Sequence, residues 1–308
     1  MILVTGASGL LGASMVLCAL ERGREVVGLY GKHPLRVPGA AMYMAELTDH
    51  QVTRQLVTRL QPAAIVHCAA ATHVDWCEDH PAEAEQINVQ SSSQLAQIAQ
   101  SIGANFVYVS TDAVFDGIKG NYSEADEPGP VNVYGRSKLN GERAVLRENP
   151  SALLVRVNIY GWNAQNKRSL AEWILCELDG GRPVRGFTDI HFTPMLVEDL
   201  AELILAMMDA NLAGIYHVTG SERISKYEFA RRVAALFRFD LSRIIPTSSK
   251  DVGLRAPRPA DISLNTAKVV AALGRPMPDV ETGLTKFRNL YDSGYPQKLK
   301  TYACGAGE

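Results

Sequence analysis

No stretch of this 308-residue chain reaches the roughly 18 consecutive apolar residues that a membrane-spanning helix needs, so no membrane partner is expected. A basic excess is missing too. With 31 Lys and Arg against 33 Asp and Glu, the net charge is -2, which gives no electrostatic reason to expect a nucleic-acid partner. The five cysteines (Cys18, Cys68, Cys77, Cys176, Cys304) are odd in number and hold no C-x-x-C pair, arguing against a disulfide framework or a thiolate zinc site. They read as reduced, mostly buried thiols. His73, His191 and His217 are too scattered for a recognisable metal set, so no metal is expected. The chain opens Met1-Ile2-Leu3-Val4-Thr5-Gly6 without the charged segment and cleavage site of a secretory signal, and a cytoplasmic protein is expected. Internal repeats and low-complexity tracts are lacking.

What is present is a regular alternation. Short β-branched runs (2–5, 25–30, 41–45, 64–68, 105–110, 153–157) are separated by amphipathic stretches (10–22, 49–60, 81–102, 134–149). The pattern predicts an α/β fold, a doubly wound parallel sheet, with runs apolar enough for helices to cover both faces. In the first helix Leu11, Met15, Val16, Ala19 and Leu20 share a face, and Gly23 supplies the stop. Beyond Val157, Gly180-Gly181, Arg182-Pro183 and Thr193-Pro194 punctuate a less regular, smaller lobe. A helix over 195–210 leads to a strand over 215–218 that can rejoin the sheet, and peripheral helices are predicted at 226–237, 266–273 and 281–291. The organisation expected is a dinucleotide-binding domain (1–162 and 190–219), a discontinuous C-terminal substrate lobe (163–189 and 220–296) and a frayed tail (297–308, with 298–308 its clearest part).

Between the first strand and the first helix runs Gly6-Ala7-Ser8-Gly9-Leu10-Leu11-Gly12. Glycines there let backbone N–H groups and the positive helix end approach a pyrophosphate, so Gly6, Ser8, Gly9, Leu10, Leu11 and Gly12 are expected to contact a dinucleotide. The second strand runs into Lys32, His33 and Arg36 with no carboxylate, which favours NADP(H) over NAD(H) through Lys32 and Arg36. A carboxylate in Glu46-Leu47-Thr48-Asp49 could accept from the adenine amino group. The small residues Cys68, Ala69 and Ala70 after the fourth strand could admit a cofactor edge, although small residues also simply pack.

Tyr134-Gly135-Arg136-Ser137-Lys138 is the only Y-x-x-x-K in the chain, and its spacing puts phenol and ammonium on one helix face. A nearby ammonium can stabilise phenolate, so that Tyr134 exchanges a proton with a carbonyl oxygen while hydride arrives from a nicotinamide. Thr111, in Ser110-Thr111-Asp112 on the carboxyl edge of the fifth strand, can donate to the same oxygen.

Taken with the glycine loop, Thr111, Tyr134 and Lys138 resemble the catalytic set of the extended short-chain dehydrogenase/reductase family, whose fold is Rossmann-like. Residues 109–117, 122–126 and 132–142, with Arg258-Pro259, Leu264 and Lys268, are similar to the dTDP-4-dehydrorhamnose reductases over nearly the whole chain. The resemblance implies an NADP(H)-dependent reductase of a nucleotide-linked 4-keto-6-deoxy sugar, with Tyr134 and Lys138 also touching the cofactor. The partner expected is that small-molecule nucleotide sugar, and a homodimer is an open option. Residues 66–70, Thr219-Gly220 and Ser225-Lys226-Tyr227-Glu228 lean toward the regulatory β subunit of methionine adenosyltransferase, which implies instead a catalytically quiet NADP-binding protein. Two places depart from the sugar reductases: Ala113, where they carry an aromatic residue, and 157–161, where they carry a Thr-Ser-Trp-like run.

Substrate contacts are expected from Thr111, Asp112 and Ala113 and from His191 and Arg258. Arg255 and Arg258, bracketed by prolines, could clamp a diphosphate or remain surface cations. Trp162 and Trp173 read as pocket or core, with core favoured, and His73 stays open as a base.

Overall fold

Each of the expected runs becomes a strand of one seven-stranded sheet in the computed structural model, which describes residues 1–303. The strands are β1 (Ile2–Thr5), β2 (Val26–Tyr30), β3 (Ala41–Met44), β4 (Ala64–His67), β5 (Asn105–Thr111) and β6 (Leu153–Val157). Further along come β7 (Ile159–Tyr160), β8 (Val184–Phe187), β9 (His191–Phe192), β10 (Met195–Leu196), β11 (Gly214–His217), β12 (Ile224–Ser225) and β13 (Ile244–Thr247). The main sheet has the order β11-β6-β5-β4-β1-β2-β3, every neighbouring pair parallel. The fold is thus the Rossmann-like doubly wound sheet, with β11 rejoining it at one edge.

The helices are α1 (Leu10–Glu21), α2 (His50–Leu60), α3 (Val74–Asp79), α4 (Pro81–Glu85), α5 (Ser91–Ile102), α6 (Val133–Glu148), α7 (Leu170–Asp179), α8 (Val197–Asp209), α9 (Lys226–Leu236), α10 (Ala267–Leu273), α11 (Val280–Asp292) and α12 (Tyr295–Tyr302). Strand alternation sorts the core. Ile2, Val4, Val66, Val107 and Val155 face one side with α1 and α8, whereas Leu3, Ile65, Phe106 and Leu154 face the other with α2, α5 and α6. The first of these clusters continues without a break into Phe192, Phe229, Val280 and Phe287, so the C-terminal elements share a core with the sheet.

Several details differ from the sequence reading. β3 is a largely exposed strand, with Met44 74% accessible, because it forms the edge of the sheet. The helix expected over 81–102 contains a π-helical turn at Gln86–Gln90 between α4 and α5. Helices α3 and α7 were not anticipated, although Ser169 and Glu172 form a capping box that opens α7. The supposed tail at 297–302 belongs to α12, held by the buried Leu299 and by an Arg36 N–H donating to the Tyr302 carbonyl at 2.7 Å. Residues 304–308, Cys304 among them, lie outside the described residues. Of the other cysteines only Cys77 is fully buried; Cys18, Cys68 and Cys176 are half-buried. No helix among the described residues is long and apolar enough to cross a membrane.

Candidate functional site

β1 and β4 lie side by side where the strand order reverses, and the glycine loop leaves β1 at that point. Gly6 has φ +62°, and a Cβ there would stand 2.7 Å from the Ala69 backbone. At Gly12 a Cβ would stand 2.0 Å from the Gly6 carbonyl oxygen. Glycine is therefore required at both positions for the loop to lie against residues 68–70. No side chain caps the N-terminus of α1, so its first N–H groups are left for an anion.

A cavity of about 1080 Å³ runs from this loop to β8. Its walls bring together most of the residues singled out from the sequence: Gly6, Ser8, Gly9, Leu10, Leu11 and Gly12 on the loop; Cys68, Ala69 and Ala70 beyond β4; Thr111, Asp112 and Ala113 beyond β5; Tyr134 and Lys138 on α6; and Arg258. Among the described residues Asp112 is the single carboxylate in these walls, against Lys138, Lys167, Arg168, Arg185, Lys226 and Arg258. Such a balance suits a ligand bearing several phosphates.

Asn132 caps α6 by accepting from the Gly135 N–H at 2.8 Å, and its Nδ2 donates to the Pro257 carbonyl at 3.0 Å. In the first turn of the helix, Tyr134 comes close enough to Thr111 for that hydroxyl to favour its phenolate. Burial pushes the phenol up to about 12, against the pull of Thr111. Lys138 is 2% exposed, and burial pulls it down to about 7, with Glu142 opposing. Thr111 donates to Asp112 Oδ1 at 3.1 Å, and Asn158 Nδ2 donates to Asp112 Oδ2 at 2.5 Å. Burial raises Asp112 to about 6, opposed by those two bonds and by the charge of Lys226.

The floor beneath these groups is polar and satisfied. Glu142 accepts from Ser110 at 2.5 Å and from Arg156 at 2.7 and 2.9 Å. His67 joins Thr5 at 2.6 Å to Ser92 at 2.9 Å, and burial holds it neutral, near 3. Asn88, in the π-helical turn, exchanges hydrogen bonds with the Ala71 backbone and donates to Ser137 on α6 at 2.9 Å.

Not every sequence-predicted residue reaches this cavity. His191 is not in the cavity wall; its main chain pairs with Ala260 and Ile262, and the preceding Ile190 lines the cavity instead. Lys32 and Arg36 are exposed and lie outside the walls, although His33 between them lines the cavity. Arg255 is ion-paired to Asp79 and is not a lining residue, whereas Arg258 lines the cavity while paired to Asp75 at 2.9 Å. Trp162 is core, stacked on Phe287 at 4.1 Å, but Trp173 is 38% exposed and lines the cavity. His73 caps α3 by accepting from the Trp76 N–H at 3.0 Å and does not reach the cavity wall. Asn88 carries no local sequence signal, and neither Asn158 nor Lys226 is marked as a site residue by its own neighbours. A lysine as the first residue of α9 is the one available signal for Lys226, because a cation there opposes the helix dipole.

Over residues 1–292 the sequence matches the model of the RmlD substrate-binding domain family. The chain belongs to that family. A curated relative, the probable low-salt glycan biosynthesis reductase Agl14 of Haloferax volcanii, is 33% identical over 91% of this chain and 95% of its own length. The methionine adenosyltransferase 2 subunit beta of Bos taurus is 34% identical over 85% of this chain and 79% of that protein. Among solved structures, a hypothetical dTDP-4-dehydrorhamnose reductase from Sulfolobus tokodaii superposes with a TM-score of 0.81 at 32% identity, covering 91% of this chain and 98% of that one. The dTDP-4-dehydrorhamnose reductase of Bacillus anthracis, solved in complex with NADP, gives 0.81 at 27% identity over 94% of this chain and 98% of its own. The RmlD family pattern therefore spans both the glycine loop and the Tyr134 helix of this chain.

Proposed function

We propose that the protein is an NADP(H)-dependent reductase of a nucleotide-linked 4-keto-6-deoxy sugar. One observation carries this reading: a single cavity joins an uncapped glycine loop to the Thr111, Tyr134 and Lys138 set. The two glycines that no side chain can replace and the bare helix end fit a dinucleotide pyrophosphate, held by residues 6–12 and 68–70. When bound, the dinucleotide supplies the hydride. Tyr134 keeps its proton throughout the neutral range and gives it to the substrate carbonyl oxygen. Thr111 turns its single hydroxyl hydrogen from Asp112 to the same oxygen and fixes it beside the phenol. Lys138 favours the phenolate left on Tyr134. Arg185 and Arg168, which carry no ion pair among the described residues, are suited to the sugar's diphosphate. Lys32 and Arg36, beside His33, supply positive charge for a 2′-phosphate.

A second reading, a catalytically quiet NADP-binding regulatory subunit, is favoured by the identity to the bovine methionine adenosyltransferase subunit and by the run Ser225-Lys226-Tyr227-Glu228. Incubation with NADPH and a dTDP-4-keto-6-deoxyhexose separates the two. The reductase reading expects stoichiometric NADPH oxidation and a 4-hydroxy product. Cofactor binding without oxidation, together with capture of a methionine adenosyltransferase, supports the second.

A further inference from the structure

Lys226 and Asp112 face one cavity from opposite parts of the chain, the lysine at the start of α9 and the aspartate at the end of β5. They feel each other's charge, yet form no ion pair within 4.0 Å among the described residues. The ammonium lies 3.4 Å from the centroid of the Phe192 ring and has no hydrogen-bond acceptor among the described residues. Its position is costly to the fold. A half-buried cation at the first residue of a helix opposes the helix dipole, and burial pulls its pKa down to about 8. The Asp112 carboxylate accepts from Thr111 and Asn158, the Ala113 N–H being given to Thr111 Oγ1, which leaves about two of its four acceptor sites open.

The gap is thus bounded by a donor on one side and an acceptor on the other. A hydroxyl completes it, accepting from Lys226 and donating to Asp112. A methylene satisfies neither group, and a carboxylate is repelled by Asp112. Thr111, which the reading above turns to the ketone oxygen, is the chain neighbour of Asp112 and lies against its carboxylate, so the hydroxyl belongs to a carbon next to the ketone. In a 4-keto-6-deoxypyranose C5 carries a methyl group and the ring oxygen, and C3 alone carries a hydroxyl. We infer that Lys226 and Asp112 together read the sugar's C3 hydroxyl, making Lys226 a specificity-determining residue for an α-hydroxy ketone. The inference deepens the sugar-binding part of the proposed function and rests on it.

The test is calorimetric binding, in saturating NADP⁺, of a dTDP-linked 6-deoxyhexose and its 3-deoxy counterpart. The wild-type protein is expected to favour the 3-hydroxy sugar by about 10- to 100-fold, the scale of a charge-assisted hydrogen bond. Lys226→Met, which keeps the side chain's length, is expected to reduce the ratio to within about threefold. Asp112→Asn, which keeps the shape, should lower it as well and serves if the methionine variant does not fold. An undiminished ratio in Lys226→Met, or in Asp112→Asn where it alone folds, overturns the inference and leaves the reductase reading standing. A preference lost on mutation, with no NADPH oxidation in the separate assay, supports the inference and sinks the reductase reading. Binding of neither sugar overturns both.

Discussion

Lys138 donates from Nζ to the Val109 carbonyl at 2.8 Å and lies over the neighbouring Tyr108 ring, 4.1 Å from its centroid. The bond latches α6 to β5 two residues before Thr111. It thereby sets the helix turn that carries Tyr134 beside the strand end that carries Thr111.

The latch has a titration consequence. Cofactor-free protein with labelled lysine side chains should show one resonance titrating near pH 7, assigned by its loss in Lys138→Met. The unfolded chain keeps this proton to about 10.5, whereas the folded chain gives it up near 7. Between those values the unfolded state binds more protons, so stability should rise with pH relative to Lys138→Met, as urea midpoints would report. A Lys138 midpoint near the ordinary lysine value of about 10.4 would contradict the burial argument.

Cofactor choice follows from the loop after β2. With Lys32 and Arg36 present and no carboxylate, NADPH should bind at least about tenfold more tightly than NADH by calorimetry. Replacing both by Ala should remove most of that preference. Equal affinities in the unmutated protein would mean that these exposed cations are only solvated.

The floor of the site makes a stability prediction. Arg156 and Glu142 are 3% and 2% exposed at 2.7 Å. Arg156→Met leaves a buried carboxylate unpaired and should cost about 3–5 kcal/mol in urea unfolding. The double variant Glu142→Gln, Arg156→Met should recover much of that loss. A single-variant cost below about 1 kcal/mol would show that water or rearrangement replaces the arginine.

With Ala113 beside Asp112, the proposed reductase is expected to stop at ketone reduction. Dehydration of a 6-hydroxy sugar or epimerisation beside the ketone needs a base in addition to Tyr134, and among the described residues Asp112 is the only carboxylate in the cavity wall. In deuterated water the reduced product should carry no deuterium at C3 or C5 beyond an enzyme-free control. Incorporation there, read by NMR, would mean that Asp112 or a group outside the wall removes those protons.

Much of this was written locally in the chain. The buried strands announced themselves as unbroken apolar runs, and the glycine loop and the Tyr134–Lys138 spacing each fit within a few residues. Lys226 and Asn158 escaped because their role exists only where distant segments converge on Asp112. His191 lies outside the cavity wall while its chain neighbour Ile190 lines it, a difference between adjacent side chains that a lone sequence does not mark. The Ser169–Glu172 box that starts α7 was readable from its spacing, but the polar run before it, 163–169, hid it as loop.

The central claim is that Tyr134 delivers the proton to the ketone. Tyr134→Phe removes that proton and little else, so steady-state reduction of a dTDP-4-keto-6-deoxyhexose should be measured beside NADPH affinity in the same variant. The account expects turnover lower by about 10²–10⁴, the scale of general acid catalysis, with NADPH affinity within a few-fold of wild type. Turnover within a few-fold of wild type would contradict it.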